Sequence, residues 1–88
     1  MEDVLTERDA THGSYADTAG LAQVLKDILR VQQNWEVITL EQRESLDCIC
    51  TKIARILHGN PNEPDHWKDI AGYAELGGGW VLGELTPP

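Results

Sequence analysis

The feature that most constrains this chain is a helix stop, Gly59-Asn60-Pro61-Asn62-Glu63-Pro64, set between two stretches of helical apolar period. Two prolines in four residues cannot continue a helix, and Gly59 suits the residue just past a helix end. Before the stop, Leu46, Ile49, Cys50, Ile53, Ile56 and Leu57 recur at steps of three and four, which draws one apolar stripe. That stripe predicts a helix from about Leu40 to His58. Thr39-Leu40-Glu41-Gln42 is a capping box at its start, in which hydroxyl and amide side chains satisfy each other's backbone N–H groups. After the stop, Asp65 is expected to cap a second helix from about His66 to Leu76. The segment 39–76 therefore reads as a helical hairpin.

Upstream, MEDVLTER (residues 1–8) is expected to form a short helix, followed by a loop of turn formers from Asp9 to Ser14. A further helix is predicted from Tyr15 or Ala16 to Gln32, with its stripe on Ala19, Leu21, Ala22, Leu25, Ile28 and Leu29. Trp35 and Ile38 in the connection are expected to tuck onto the core. No segment alternates long enough for a strand, so the expected fold is all-α: a small helical bundle built on the hairpin. Residues 1–76 form the predicted helical domain. Residues 77–88 form an apolar tail, hinged on Gly77-Gly78-Gly79, that covers either its own subunit or a neighbour's.

Size bears on assembly. A chain of 88 residues buries only about 60% of its unfolded surface, which leaves Trp35, Trp67 and Trp80 poorly covered in a three-helix core. Homo-oligomerisation is the expected remedy. A net charge of −8 argues against a nucleic-acid polymer or an anionic membrane as the main partner. Cys48 and Cys50 lie two apart on a predicted helix and cannot bridge each other. No second pair completes a zinc site, so they read as free packing thiols in a reducing compartment. No run approaches the roughly 20 apolar residues of a membrane span, and no signal peptide is recognised. A soluble protein of the cytoplasm is expected.

Two segments carry more polar function than packing requires. In Arg8-Asp9-Ala10-Thr11-His12-Gly13-Ser14-Tyr15 a loop leads into a helix start, whose free N–H groups suit an anion. Arg8 can fork onto a phosphate, Thr11 and Ser14 supply hydroxyls, and Tyr15 offers a ring for base stacking. The alternative is a plain helix cap, with Thr11, His12 and Ser14 bonded to local backbone. In Asp65-His66-Trp67-Lys68-Asp69-Ile70-Ala71-Gly72-Tyr73, His66, Asp69 and Tyr73 share one helical face. Trp67, Ile70, Ala71 and Ala74 are expected to pack. That polar face can bond a base edge, hold a divalent cation, or simply face solvent. Gly72 inside the helix suggests a close approach or room for a ligand. On the long helix, Glu44, Asp47, Thr51, Arg55 and His58 oppose the apolar stripe, and a carboxylate pair at this spacing is common on a solvated face.

The ordered trio Glu7-Arg8-Asp9-Ala10-Thr11-His12-Gly13-Ser14-Tyr15, Leu46-Asp47 with Lys52-Ile53-Ala54-Arg55-Ile56-Leu57, and Asp65-His66-Trp67-Lys68-Asp69-Ile70-Ala71-Gly72-Tyr73-Ala74 resembles a family of small phage- and prophage-encoded proteins that carry a domain of unknown function. The likeness spans roughly residues 7–76 and implies a virus-associated helical domain acting in the cytoplasm of an infected bacterial host. More distantly, the chain is similar to the MazG-like all-α nucleotide pyrophosphohydrolases and to phage nucleotide-modification-associated domains. In the MazG-like enzymes a Glu-Glu-x-x-Glu motif and a later Glu-x-x-Asp hold Mg²⁺. The nearest matches here are Glu41, Glu44 and Asp47, then Asp65 and Asp69; the doubled Glu is missing.

Three functions are therefore expected in turn. The first is a non-catalytic, phage-type nucleotide-binding protein, sequestering a nucleotide-derived host immune signal, with Arg8, Thr11, His12, Tyr15, Arg55, His66, Asp69 and Tyr73 around the ligand and no cofactor. The second is a Mg²⁺-dependent pyrophosphohydrolase with Glu44, Asp47, Asp65 and Asp69 as metal ligands. The third is a non-catalytic module that binds a host protein.

Overall fold

A computed structural model of the protein describes residues 14–79, and among them the fold is all-α, with no strand. Three helices follow in order: α1, Tyr15–Arg30; α2, Leu40–His58; α3, Pro64–Gly78. Both α1 and α3 pack on α2, which is the centre of the bundle, and barely touch each other. The expected helix over residues 1–8 and the tail from Trp80 onward lie outside the described residues.

The capping box at the start of α2 is formed in full. The Gln42 N–H donates to the Thr39 hydroxyl at 3.1 Å, and the Thr39 N–H donates to the Gln42 side-chain oxygen at 2.9 Å. At the other end the Gly59 N–H closes the last turn onto the Arg55 carbonyl at 2.9 Å. The stop between α2 and α3 is shorter than expected. Glu63, not Asp65, is the N-cap of α3, and Pro64 occupies its first turn, where a missing N–H costs nothing. Asp65 instead adds negative charge to that first turn, as the helix dipole favours. The glycine run also behaves differently. Gly77 and Gly78 stay helical, and Gly79, at φ 72°, ends α3 with its N–H on the Glu75 carbonyl at 2.9 Å.

The bundle's core is made of small side chains. Among the described residues Ala22, Cys50, Ala54 and Ile56 are its buried apolar members, joined by Thr18, Ser45 and His66. Small residues let the helix backbones approach closely, at the cost of little apolar area per residue. Leu46 and Leu57 of the predicted stripe are consequently exposed. The connection between α1 and α2 is held by Trp35, half-buried, with the Arg30 and Arg43 guanidinium carbons 5.1 and 5.6 Å from its ring centre. Arg43 Nε also donates to the Trp35 carbonyl at 2.8 Å.

The helices run antiparallel. Arg30, ending α1, forks onto Asp47 of α2 at 3.1 and 2.9 Å. On the other side of α2, Ser45 meets Gly77, Cys48 meets Tyr73, and Lys52 meets Asp69. Each successive turn of α2 thus finds a partner one turn earlier on α3. This register gives the bundle two unlike ends. One gathers the start of α1, the end of α2 and the start of α3; the other gathers the α1–α2 connection, the start of α2 and the end of α3.

Candidate ligand-binding seam

The seam between α2 and α3 carries most of the polar groups singled out above, but with one face turned over. His66 was expected on an exposed face, yet it is the most buried large side chain, at 1% exposure. Trp67 was expected to pack, yet it is 56% exposed. The packing face of α3 is therefore rotated by about one residue, running through His66, Ile70, Tyr73 and Gly77 at i, i+4, i+7 and i+11. The physical reason is the indole N–H. Trp67 Nε1 donates to the Pro61 carbonyl at 2.8 Å, a partner offered by the connecting loop.

Asp69 is the hub of the seam. Lys52 Nζ, on a largely covered side chain, reaches Asp69 Oδ2 at 2.6 Å. That contact holds the Asp69 carboxyl below its usual range; the nearby charges of His66 and Arg55 act in the same direction. One turn further along, Tyr73 lies beside Cys48, and this neighbour raises the phenol above its usual value, with Asp69 and Glu44 adding to the effect. Arg55 and His66 thus act on Asp69, and Asp69 in turn acts on Tyr73. Lys52 and Cys48 belong to the seam too. The sequence held a signal for Lys52, a cation on α2, but only the antiparallel register pairs it with Asp69.

Tyr15 lies at the same end of the bundle as His66, at the first position of α1, and is 82% exposed. Arg8, Thr11 and His12 lie outside the described residues.

The predicted metal site is not formed. Among the described residues no three His, Cys, Asp or Glu side chains come together to hold an ion. Asp47 faces α1, where Arg30 occupies both of its oxygens. Asp69 faces α2 and pairs with Lys52. Glu44 and Asp65 are exposed on different helices, several turns apart. Two of the four carboxylates are therefore engaged with cations from different helices, and the set does not converge as two-motif coordination would require. Gly72 is also not a point of contact: a Cβ there would meet nothing within 4 Å.

The described residues define a small antiparallel helical protein whose central helix shares a charged, histidine-bearing seam with its neighbour. The chain belongs to the DUF6378 family, a domain of unknown function, whose profile matches residues 1–80. No curated protein and no solved structure matches it. No helix among the described residues is long and apolar enough to cross a membrane.

Proposed function

We propose that this protein is a non-catalytic nucleotide-binding module, of the kind a phage would use to sequester a nucleotide-derived host signal in the bacterial cytoplasm. The ligand's phosphate is met by Arg8, by Thr11 and His12 at the entrance to α1, and by Arg55. Tyr15 stacks on its base. Asp69 and Tyr73, set by Lys52 and Cys48, orient its polar edge, while His66 supports the seam from beneath.

The observation that carries this reading is the topology. The end of the bundle from which α1 departs is also the end where α2 delivers Arg55 and α3 begins with His66. The Thr-His-Gly loop is thereby tethered to the charged end of the seam rather than to the apolar end. Lys52 and Arg55 also give the seam local positive charge in a chain of net charge −8, and such charge focuses an anion despite the global field. Hydrolysis is disfavoured by the dispersal of the four carboxylates.

The test is titration calorimetry of the full chain against nucleoside triphosphates and linear and cyclic di- and trinucleotides. At least one is expected to bind. Arg8→Ala and Arg55→Ala should each weaken it roughly 10- to 150-fold, the loss of one charge-assisted hydrogen bond, with helicity unchanged. Absence of binding across the panel, or binding that neither arginine affects, would overturn the reading.

A further inference from the structure

Every base has an aromatic face, so stacking on a tyrosine does not tell one base from another. Contacts to phosphate carry no base information either. If the ligand is a nucleotide, as proposed above and as this inference requires, the choice of base falls to groups that meet its polar edge. The recess at the opposite end of the bundle is ill suited to that task. It is a groove of about 320 Å³ between the first half of α2 and the end of α3, lined by Ile38, Leu46, Ile49 and Ala74 together with Gln42 and Tyr73, and no charged side chain lines it. Asp69, on the seam, has its bonding capacity fixed in one sense.

An ionised carboxylate only accepts hydrogen bonds, through two oxygens with about four lone-pair sites. Lys52 Nζ takes one of these, at 2.6 Å from Asp69 Oδ2, and keeps the carboxyl below its usual range, so the group is ionised at neutral pH. The Lys52 side chain is largely covered and fixes the carboxylate from one side. Asp69 itself is 47% exposed, which leaves its other lone pairs open to a ligand. Two neighbours on α3 frame it. Tyr73, at i+4, shares its helical face, and Cys48 beside the phenol pushes it up, so the hydroxyl keeps its proton and can donate. Gly72, at i+3, is the second neighbour. A Cβ there would meet nothing within 4 Å, so packing does not call for a glycine, which costs a helix stability relative to alanine. What the glycine leaves is open space next to the Asp69 carboxylate.

We propose that Asp69 selects a guanine base, accepting from its N1–H and its 2-amino group, with Tyr73 donating to O6 and the edge entering the space left at Gly72. Guanine presents two donors side by side, which a carboxylate accepts as a bidentate pair. Its O6 follows on the same edge as an acceptor, and a phenol hydroxyl supplies the matching donor. Adenine turns the lone pair of N1 toward the carboxylate, and cytosine that of N3. Each sets acceptor against acceptor and leaves a bond unmade. Uracil offers one N–H between two carbonyl oxygens, and the second of these meets the carboxylate where guanine has its amino group.

The experiment is calorimetry of the full chain against the guanine, hypoxanthine, xanthine and adenine forms of the nucleoside triphosphate and of the cyclic dinucleotide. The guanine form is expected to bind tightest. Hypoxanthine lacks only the 2-amino group and should bind roughly 10- to 150-fold more weakly, the loss of one charge-assisted bond. Asp69→Asn turns one acceptor into a donor, so it should shift the preference to xanthine, whose 2-oxygen stands in place of the amino group. Gly72→Leu fills the open space and should abolish binding of the guanine form, with helicity by circular dichroism retained. An adenine form that binds as tightly as the guanine form would overturn the proposal and leave the nucleotide reading standing. Equal affinities for guanine and hypoxanthine would do the same, as would an Asp69→Asn variant that weakens guanine and xanthine forms alike, or a Gly72→Leu variant that binds as the wild type does. No binding by any form of either series would also overturn it, while the wider panel above decides the nucleotide reading separately.

Discussion

Gly77 of α3 lies directly against Ser45 of α2: a Cβ built on the glycine would come within 2.9 Å of the Ser45 Cβ and 3.0 Å of its hydroxyl oxygen. Ser45 is buried, and its Cβ is anchored to the backbone, so the neighbour cannot swing aside. This pair sets how closely α2 and α3 approach at the groove end. Gly77→Ala should therefore cost about 1–3 kcal/mol, the range for overpacking, even though alanine is the better helix former. Gly72→Ala, five residues earlier on the same helix and with no atom in reach, should stabilise by about 0.5–1 kcal/mol. Urea unfolding of the two variants checks both signs. Ser45→Gly should recover most of the loss in Gly77→Ala, and failure to do so would mean the contact is not the cause.

The helices were legible because their local rules do not depend on tertiary context. The Thr39–Gln42 capping box and the Gly59 exit bounded α2 to the residue. The start of α3 was misplaced because Pro64 serves equally as a stop for one helix and as the first turn of the next. The site was harder. His66 and Trp67 are adjacent, and which one enters the seam is decided by a hydrogen bond to the Pro61 carbonyl that periodicity does not encode. Likewise Asp47 and Asp69 look like a metal pair until Arg30 and Lys52, 17 positions away in each case, arrive from other helices. Charge partners over such separations depend on the register, and the register depends on contacts such as Ser45–Gly77.

The inversion of His66 changes what its substitution should do. A side chain at 1% exposure is part of the packing, so His66→Ala should lower the melting temperature as well as any affinity. Arg55→Ala, at a half-buried position, should affect affinity with little change in melting temperature. Differential scanning fluorimetry of the two variants separates these roles. Equal, unchanged melting temperatures would mean that the seam is looser than the structure describes.

Asp69 makes the seam sensitive to acid. Its folded carboxyl holds its proton more weakly than an ordinary aspartate, first because Lys52 bonds the charged form, and His66 and Arg55 add to this. Between the folded and unfolded values the unfolded chain binds more protons, so stability rises with pH there. The contribution is fully present above the unfolded value of about 3.9 and is lost as pH falls through the lower folded value. Stability measured from pH 7 down to pH 2 should therefore fall more steeply at the acid end in the wild type than in Asp69→Asn. Parallel curves would show that the Lys52 contact does not persist in solution.

Self-association should complete the apolar surface. Leu40, the first residue of α2, is 74% exposed, and Leu76, near the end of α3, is 71% exposed. The antiparallel register places both at the groove end of the bundle, where the first and last turns of the hairpin meet. Single exposed leucines are ordinary, but two at one end of a small-residue core offer an apolar surface that a second copy can cover. A second copy offers the same patch, and a two-fold contact would pair it with itself. Sedimentation velocity at micromolar concentration should therefore give a species heavier than the 9.8 kDa chain. Leu40→Glu combined with Leu76→Glu places like charges across that contact and should return the protein to monomer with its helicity intact. A wild type that sediments as a single 9.8 kDa species would rule out this assembly, and a heavier species insensitive to the two glutamates would move the contact to another face of the bundle.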